Sequence, residues 1–140
     1  MDFYKGFVGR CHHAKEEGYL FPTMKLFKAS KINEIISILL QEHNLGRNIV
    51  KKMQEELDNK YKELYETKFI IYAKKYIELL NNHINKEDNN AFKIADQKLT
   101  SVKDAELMEL FEKVEHERLG IGKHEQYHEL IKQLKKYYLK

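Results

Sequence analysis

The sequence predicts an all-α protein, a helical bundle of three long helices followed by two shorter ones. Three observations predict it. Only one proline and six glycines interrupt 140 residues. Lys, Glu, Ile and Leu dominate the composition, and all but Ile are strong helix formers. Apolar residues recur three and four positions apart over long stretches, with no run of strict alternation that would indicate a strand. A chain of this length buries most of the surface that its unfolded form exposes, so residues 1–140 are expected to form a single domain without a disulfide scaffold.

Each element follows from local signals. Asp2 is a plausible cap for a first helix running to about Phe21, and Pro22 is its expected stop. The connector TMKLFKAS leads to Ser30, a candidate cap for the second helix. Ile35, Ile38, Leu39, Ile49, Val50, Met53 and Leu57 give that helix a sustained apolar stripe. The turn-like DNK at 58–60 precedes a third long helix, from Tyr61 or later to about Lys98. Phe69, Ala73, Tyr76, Ile77, Leu80, Ile84, Ala91 and Ile94 line one side of it, and Asn89 and Asn90 are expected to loosen it. A shorter helix runs from about Val102 to Arg118. LGIG at 119–122 then breaks the chain before a last helix from Lys123.

Charge and composition exclude several function classes. Twenty-five basic residues against 22 acidic ones leave a net +3, too small and too evenly mixed for a nucleic-acid footprint. Nowhere do about 18 apolar residues run together, so no membrane span is expected. Cys11 is the single cysteine, which rules out an intramolecular disulfide. The first ten residues lack a signal-peptide core, and the expected compartment is the cytoplasm.

Bearings around each helix, at about 100° per residue, single out polar residues on apolar faces. In the first helix, Phe3, Phe7, Ala14, Leu20, Phe21 and Met24 cover an arc of roughly 140° that includes His13 and Glu17. His12 and Lys15 fall clear of it and Glu16 lies nearer its edge, so His12 and Glu16 are read as the outer, solvated partners. In the second helix, Glu42 lies on the inner face and His43 at its edge. Gly46 shares that face and would admit a close neighbour. In the third, Glu87 sits near the centre of the stripe, with His83 on one side and Asp88 on the other. Cys11 points away from His13, and Tyr72 and Tyr76 read as core packing.

Burying ionised carboxylates without a cation costs several kcal/mol each. No lysine is expected on these faces, and Arg10 is the only basic residue near one. One buried histidine is ordinarily a hydrogen-bonded core residue, and one His-x3-Glu pair ordinarily supports an exposed helix. The combination of His13/Glu17, His43 and His83/Glu87 on three helices has instead the composition of a non-haem iron or di-iron site.

These residues carry a resemblance. CHHAKEEGYLFP, LLQEHNLGR and LLNNHINKEDNNAF resemble, in order, the second, third and fourth bundle-helix motifs of the haemerythrin-like, HHE cation-binding family. FEKVEHERLGIGKHEQYHELIKQL resembles a tail seen in one branch of it. The resemblance implies a haemerythrin-like bundle holding iron, two ions bridged by oxo or hydroxo groups and carboxylates, with zinc or another divalent metal as the alternative. It implies binding of O2 or a related species such as NO or peroxide, or iron sensing or storage. Its ligands would be His13, Glu17, His43, His83 and Glu87, with Asp88 as the alternative to Glu87 because aligning KEEGYLF with KEDNNAF matches Glu17 to Asp88. Glu42 would orient the histidines from behind.

The pattern departs from the family in two ways. Leu39 stands where haemerythrin has a further third-helix histidine. The family's first helix would precede residue 1, leaving 101–140 as a C-terminal helical extension and an apolar groove that a homodimer could cover. His116 reads as surface, and His124 with His128 as a His/Tyr packing edge in preference to a metal pair. A competing function is a helical interaction module pinned by one structural metal ion, with no small-molecule chemistry.

Overall fold

The computed structural model describes residues 1–59 and 65–139. No strand occurs among them. Five helical runs follow one another: α1 (2–25), α2 (Ser30–Asp58), α3 (65–98), α4 (Ser101–Arg118) and α5 (Lys123–Tyr138). No helix among the described residues is long and apolar enough to cross a membrane. At the expected turn α2 ends at Asp58 with Asn59 as its C-cap, whereas Lys60 and a start of the third helix between 61 and 64 lie outside the described residues.

The chain forms two compact units, one of residues 21–100 with Met1, the other of 2–20 with 101–140. In the first unit α2 and α3 run antiparallel. Glu42 meets His83, and Gly46 faces Tyr76 and Leu79, so positions rise along one helix as they fall along the other. The buried residues of α2 are Ile32, Ile36, Leu39, His43, Gly46, Ile49, Val50 and Met53. Apart from Ile49 they alternate steps of four and three, the seam of a helix that packs along its whole length.

The seam keeps Leu39, Ile49, Val50 and Met53 of the expected stripe and departs from it by one residue in the first turns, where Ile32 and Ile36 are buried. Ile38 is exposed and Ile35 half-buried, while His43 is at the centre of the seam and Glu42 on its flank. On α3, Tyr76, His83, Glu87, Ala91 and Ala95 are buried, whereas Ile77 and Ile84 are exposed. The last turn of α1 adds Phe21 and Met24 to this core.

In the second unit residues 2–20 pack with α4 and α5. Phe3 and Phe7 stack at 5.2 Å between centroids, and both meet the Tyr127 ring edge-on at 5.6 and 5.8 Å. Lys15 pairs with Glu115 and lies over the Phe111 ring. Leu107 and Val114 bury the α4 stripe. Gly120 and Gly122, with φ of 88° and 75°, make the expected break between α4 and α5 in a region that residues with a Cβ disfavour.

Three expected terminal signals act differently. Pro22 does not stop α1, which continues to Lys25. The turn before it, Glu16–Leu20, is wound in π register, so the regular α ladder that proline would break is already interrupted there. Asp2 is the first residue of α1, and its carboxylate accepts a hydrogen bond from the Tyr127 hydroxyl at 2.6 Å. Ala29, in extended conformation, is the N-cap of α2, and Ser30 is that helix's first residue.

Candidate metal centre

Two antiparallel helices of the first unit build the centre. The α2 seam carries His43 inward, where its ring stacks on Phe21 at 5.9 Å and is 1% exposed. His83 comes from the facing turn of α3. One helical turn later Glu87 opens a short π-wound segment, Glu87–Ala91, at the place where Asn89 and Asn90 were expected to loosen the helix. A π turn adds a residue to the α register, and such turns are frequent at functional sites.

The donor atoms converge closely. His43 Nε2 and His83 Nε2 are 3.1 Å apart, and Glu87 Oε1 is 2.9 Å from His83 Nε2. The ligand atoms of His43, His83 and Glu87 all lie within 4.8 Å of one another. Lone-pair atoms this close in a buried site repel one another unless a shared proton or a cation lies between them. Two ligands about 2.1 Å from one ion, at tetrahedral or right-angle geometry, stand about 3.0–3.4 Å apart. The observed spacings are near that range, and two imidazoles with a carboxylate suit a first-row transition metal. The residues therefore fit a metal ion.

The remaining nitrogen of His83 is already engaged. Its Nδ1 lies 3.0 Å from Glu42 Oε2; with the proton on Nδ1 donated to that carboxylate, the Nε2 lone pair faces His43 and Glu87. Glu42 is held in turn by the Lys86 ammonium at 2.5 Å. The expectation that no lysine attends these faces is thus corrected. Lys86 lies on α3 three residues after His83, and its long side chain reaches across to α2.

Of the expected site residues, the structure brings His43, His83 and Glu87 together, with Glu42 behind His83. Asp88 is exposed, so the carboxylate turned inward is Glu87. His13 and Glu17 belong to the second unit, where His13 is buried and Glu17 only half-buried.

The buried acid of that stretch is Glu16, at 3% exposure, which reverses the expectation that it is the solvated partner. Its carboxylate stands 3.5 Å from His12. The reason is the π winding of Glu16–Leu20. Each residue there turns less than the α value of about 100°, so the downstream stripe through Leu20 and Met24 rotates back toward Glu16. Bearings computed for an ideal α-helix could not find this; the Pro22 that follows was the available signal.

Other candidates stand as the sequence suggested, except Tyr72, which was expected in the core and is only half-buried. His116 is exposed, and His124 and His128 form a packing edge against Phe7 with centroids 5.3 and 5.8 Å away. Cys11 is buried, and burial pushes its thiol up despite nearby Lys15. Tyr76 is buried against Gly46, while Tyr72 lines a surface cleft of about 410 Å³ with Lys52 and Lys75.

Fold and donors define a class, a helical domain that binds a cation through histidine and carboxylate. Residues 1–95 match the family described as the Hemerythrin HHE cation binding domain, and the chain belongs to that family. No match was found among curated proteins, and none among solved structures.

Proposed function

We propose that this chain is a non-haem iron protein that binds O2 or a related small reactive species, such as NO or peroxide, at a histidine and carboxylate centre. The observation that carries this reading is the convergence of His43 Nε2 and Glu87 Oε1 on His83 Nε2, at 3.1 and 2.9 Å, in a buried part of the α2–α3 pair. His43 and His83 would ligate as neutral imidazoles and Glu87 as an anionic oxygen donor. Family membership over residues 1–95 also points to first-helix donors, and we propose His13 with Glu17 or Glu16 in that role on this ground and on their chemistry.

When bound, iron supplies the redox chemistry and the open coordination that a diatomic ligand needs. The protein's own part is to hold neutral imidazoles in one orientation and to keep water from the donors. Glu42 fixes the His83 ring. Phe21, Leu39 and Met24, all at most 1% exposed, supply apolar bulk to the core of the same unit.

The test is anaerobic reconstitution with Fe2+, followed by iron analysis and an optical spectrum before and after adding O2 or NO. The reading expects at least about one iron per chain, lost in His83→Ala and Glu87→Gln, and a spectral response to the added gas. Iron uptake without any response would leave a structural metal, and no uptake would overturn the proposal.

A further inference from the structure

We propose that Lys86, acting through Glu42, is a positioning residue that presents His83 to a cation; this rests on the reading of His43, His83 and Glu87 as ligands. The geometry is a three-member chain from the surface inward. Lys86 Nζ lies 2.5 Å from Glu42 Oε1, and the other oxygen of the same carboxylate lies 3.0 Å from His83 Nδ1. Side-chain exposure falls along it from 36% at Lys86 to 16% at Glu42 and 5% at His83. Each Glu42 oxygen therefore has a separate task, one toward the cation at the surface and one toward the buried ring.

The helical register makes the device rigid. His83 and Lys86 are three residues apart on α3, on neighbouring positions of one face, while Glu42 comes from α2. The carboxylate thus closes a bridge between two helices whose ends are both fixed. A half-buried Glu42 without Lys86 would gain by turning its charge to water, and Nδ1 of His83 would lose its acceptor. The ring could then flip or exchange tautomers, and Nε2 would no longer be reserved as a lone pair facing His43 and Glu87. Lys86 also reaches the Asn82 carbonyl at 3.4 Å, so its own head group is held from two directions.

A plain interhelical ion pair would alter stability and leave the chemistry of His83 untouched. The test therefore reads the ring itself and the cation affinity. Nitrogen-15 NMR of histidine side chains in the metal-free full chain reports the His83 tautomer, and competition against a chromophoric chelator reports Zn2+ and Co2+ affinity. Lys86→Met, Lys86→Arg and Glu42→Gln are compared with Lys51→Met, which removes an exposed i,i+4 pair with Glu55 on α2.

The expected result is a single Nδ1–H tautomer for His83 in the parent chain and mixed tautomers in K86M. K86M should bind Zn2+ about three- to tenfold more weakly and E42Q about tenfold or more, with K86R and K51M near the parent. A parent-like tautomer and affinity in K86M would overturn the proposal. Should K86M fail to fold, Lys86→Gln, which keeps a polar side chain without the charge, decides by the same two measurements. A parent chain that takes up no cation would count against the ligand reading alone, because the tautomer comparison still tests the positioning role.

Discussion

Glu87 and Asp88 are neighbours in the chain with opposite environments, one 2% exposed beside His83 and the other in solvent. Glu87→Gln should weaken cation binding at least about tenfold, and Asp88→Asn should leave it unchanged within about twofold, measured by chelator competition. Two further residue-scale pairs respond to pH. Burial raises the Glu115 carboxyl, but the hydrogen bond and charge of Lys15, with help from His124 and His116, outweigh it and hold it below the ordinary 4.5. A carboxyl lowered in the folded state contributes stability above about pH 4.5, and this is lost as pH falls through the folded value. Glu115→Gln should therefore cost about 0.5–1 kcal/mol at neutral pH and nothing in strong acid, read from urea midpoints across that range. The Tyr127 hydroxyl has the opposite sign. Its hydrogen bond to Asp2 raises it above 10.0, so its contribution holds below that pH and disappears as pH rises through the folded value. Tyr127→Phe should abolish that alkaline loss. His43, His83 and Glu87 were legible as candidates because acids and imidazoles on apolar faces are costly without a cation. Lys86 was not, because its reach to Glu42 depends on how closely two helices approach.

At the scale of elements, the seam of α2 explains most of the packing. Gly46 lies where Tyr76 and Leu79 come closest, and a Cβ built there would stand 3.5 and 3.7 Å from them, ordinary contact distances. Gly46→Ala should accordingly stabilise the helix by about 0.5–1 kcal/mol, and Gly46→Leu should destabilise it by about 1–3 kcal/mol, both read as shifts in denaturation midpoint. The five helices and the 119–122 break were readable from spacing and glycine. Of the three π segments among the described residues, Tyr4–His12, Glu16–Leu20 and Glu87–Ala91, only the last was readable. Asn89 and Asn90 marked the one in α3, but an α-based count assigned the inward acid of α1 to Glu17 when the winding selects Glu16. The same shortfall in rotation let Pro22 sit inside α1.

At the scale of the molecule, the family match over residues 1–95 makes this a cation-binding domain, and a cation that binds the folded state alone stabilises it. A ligand present at about 100 times its dissociation constant adds about 2.7 kcal/mol to the state that binds it. Adding Zn2+ or Fe2+ to metal-free protein should therefore raise the melting temperature by about 5–10 °C, and a chelator should reverse this. His83→Ala should remove the dependence, and a melting curve indifferent to metal in the parent chain would contradict it. By itself the sequence determined the helical class, the order of the helices and the donor types, because periodicity and the cost of buried charge are local or compositional properties. Only the tertiary structure decided that Glu16 and not Glu17 turns inward, closed the choice left open between Glu87 and Asp88, and showed which cation steadies Glu42. Those choices hang on a fraction of a helical turn and on an interhelical distance, and neither quantity is written in residue spacing alone.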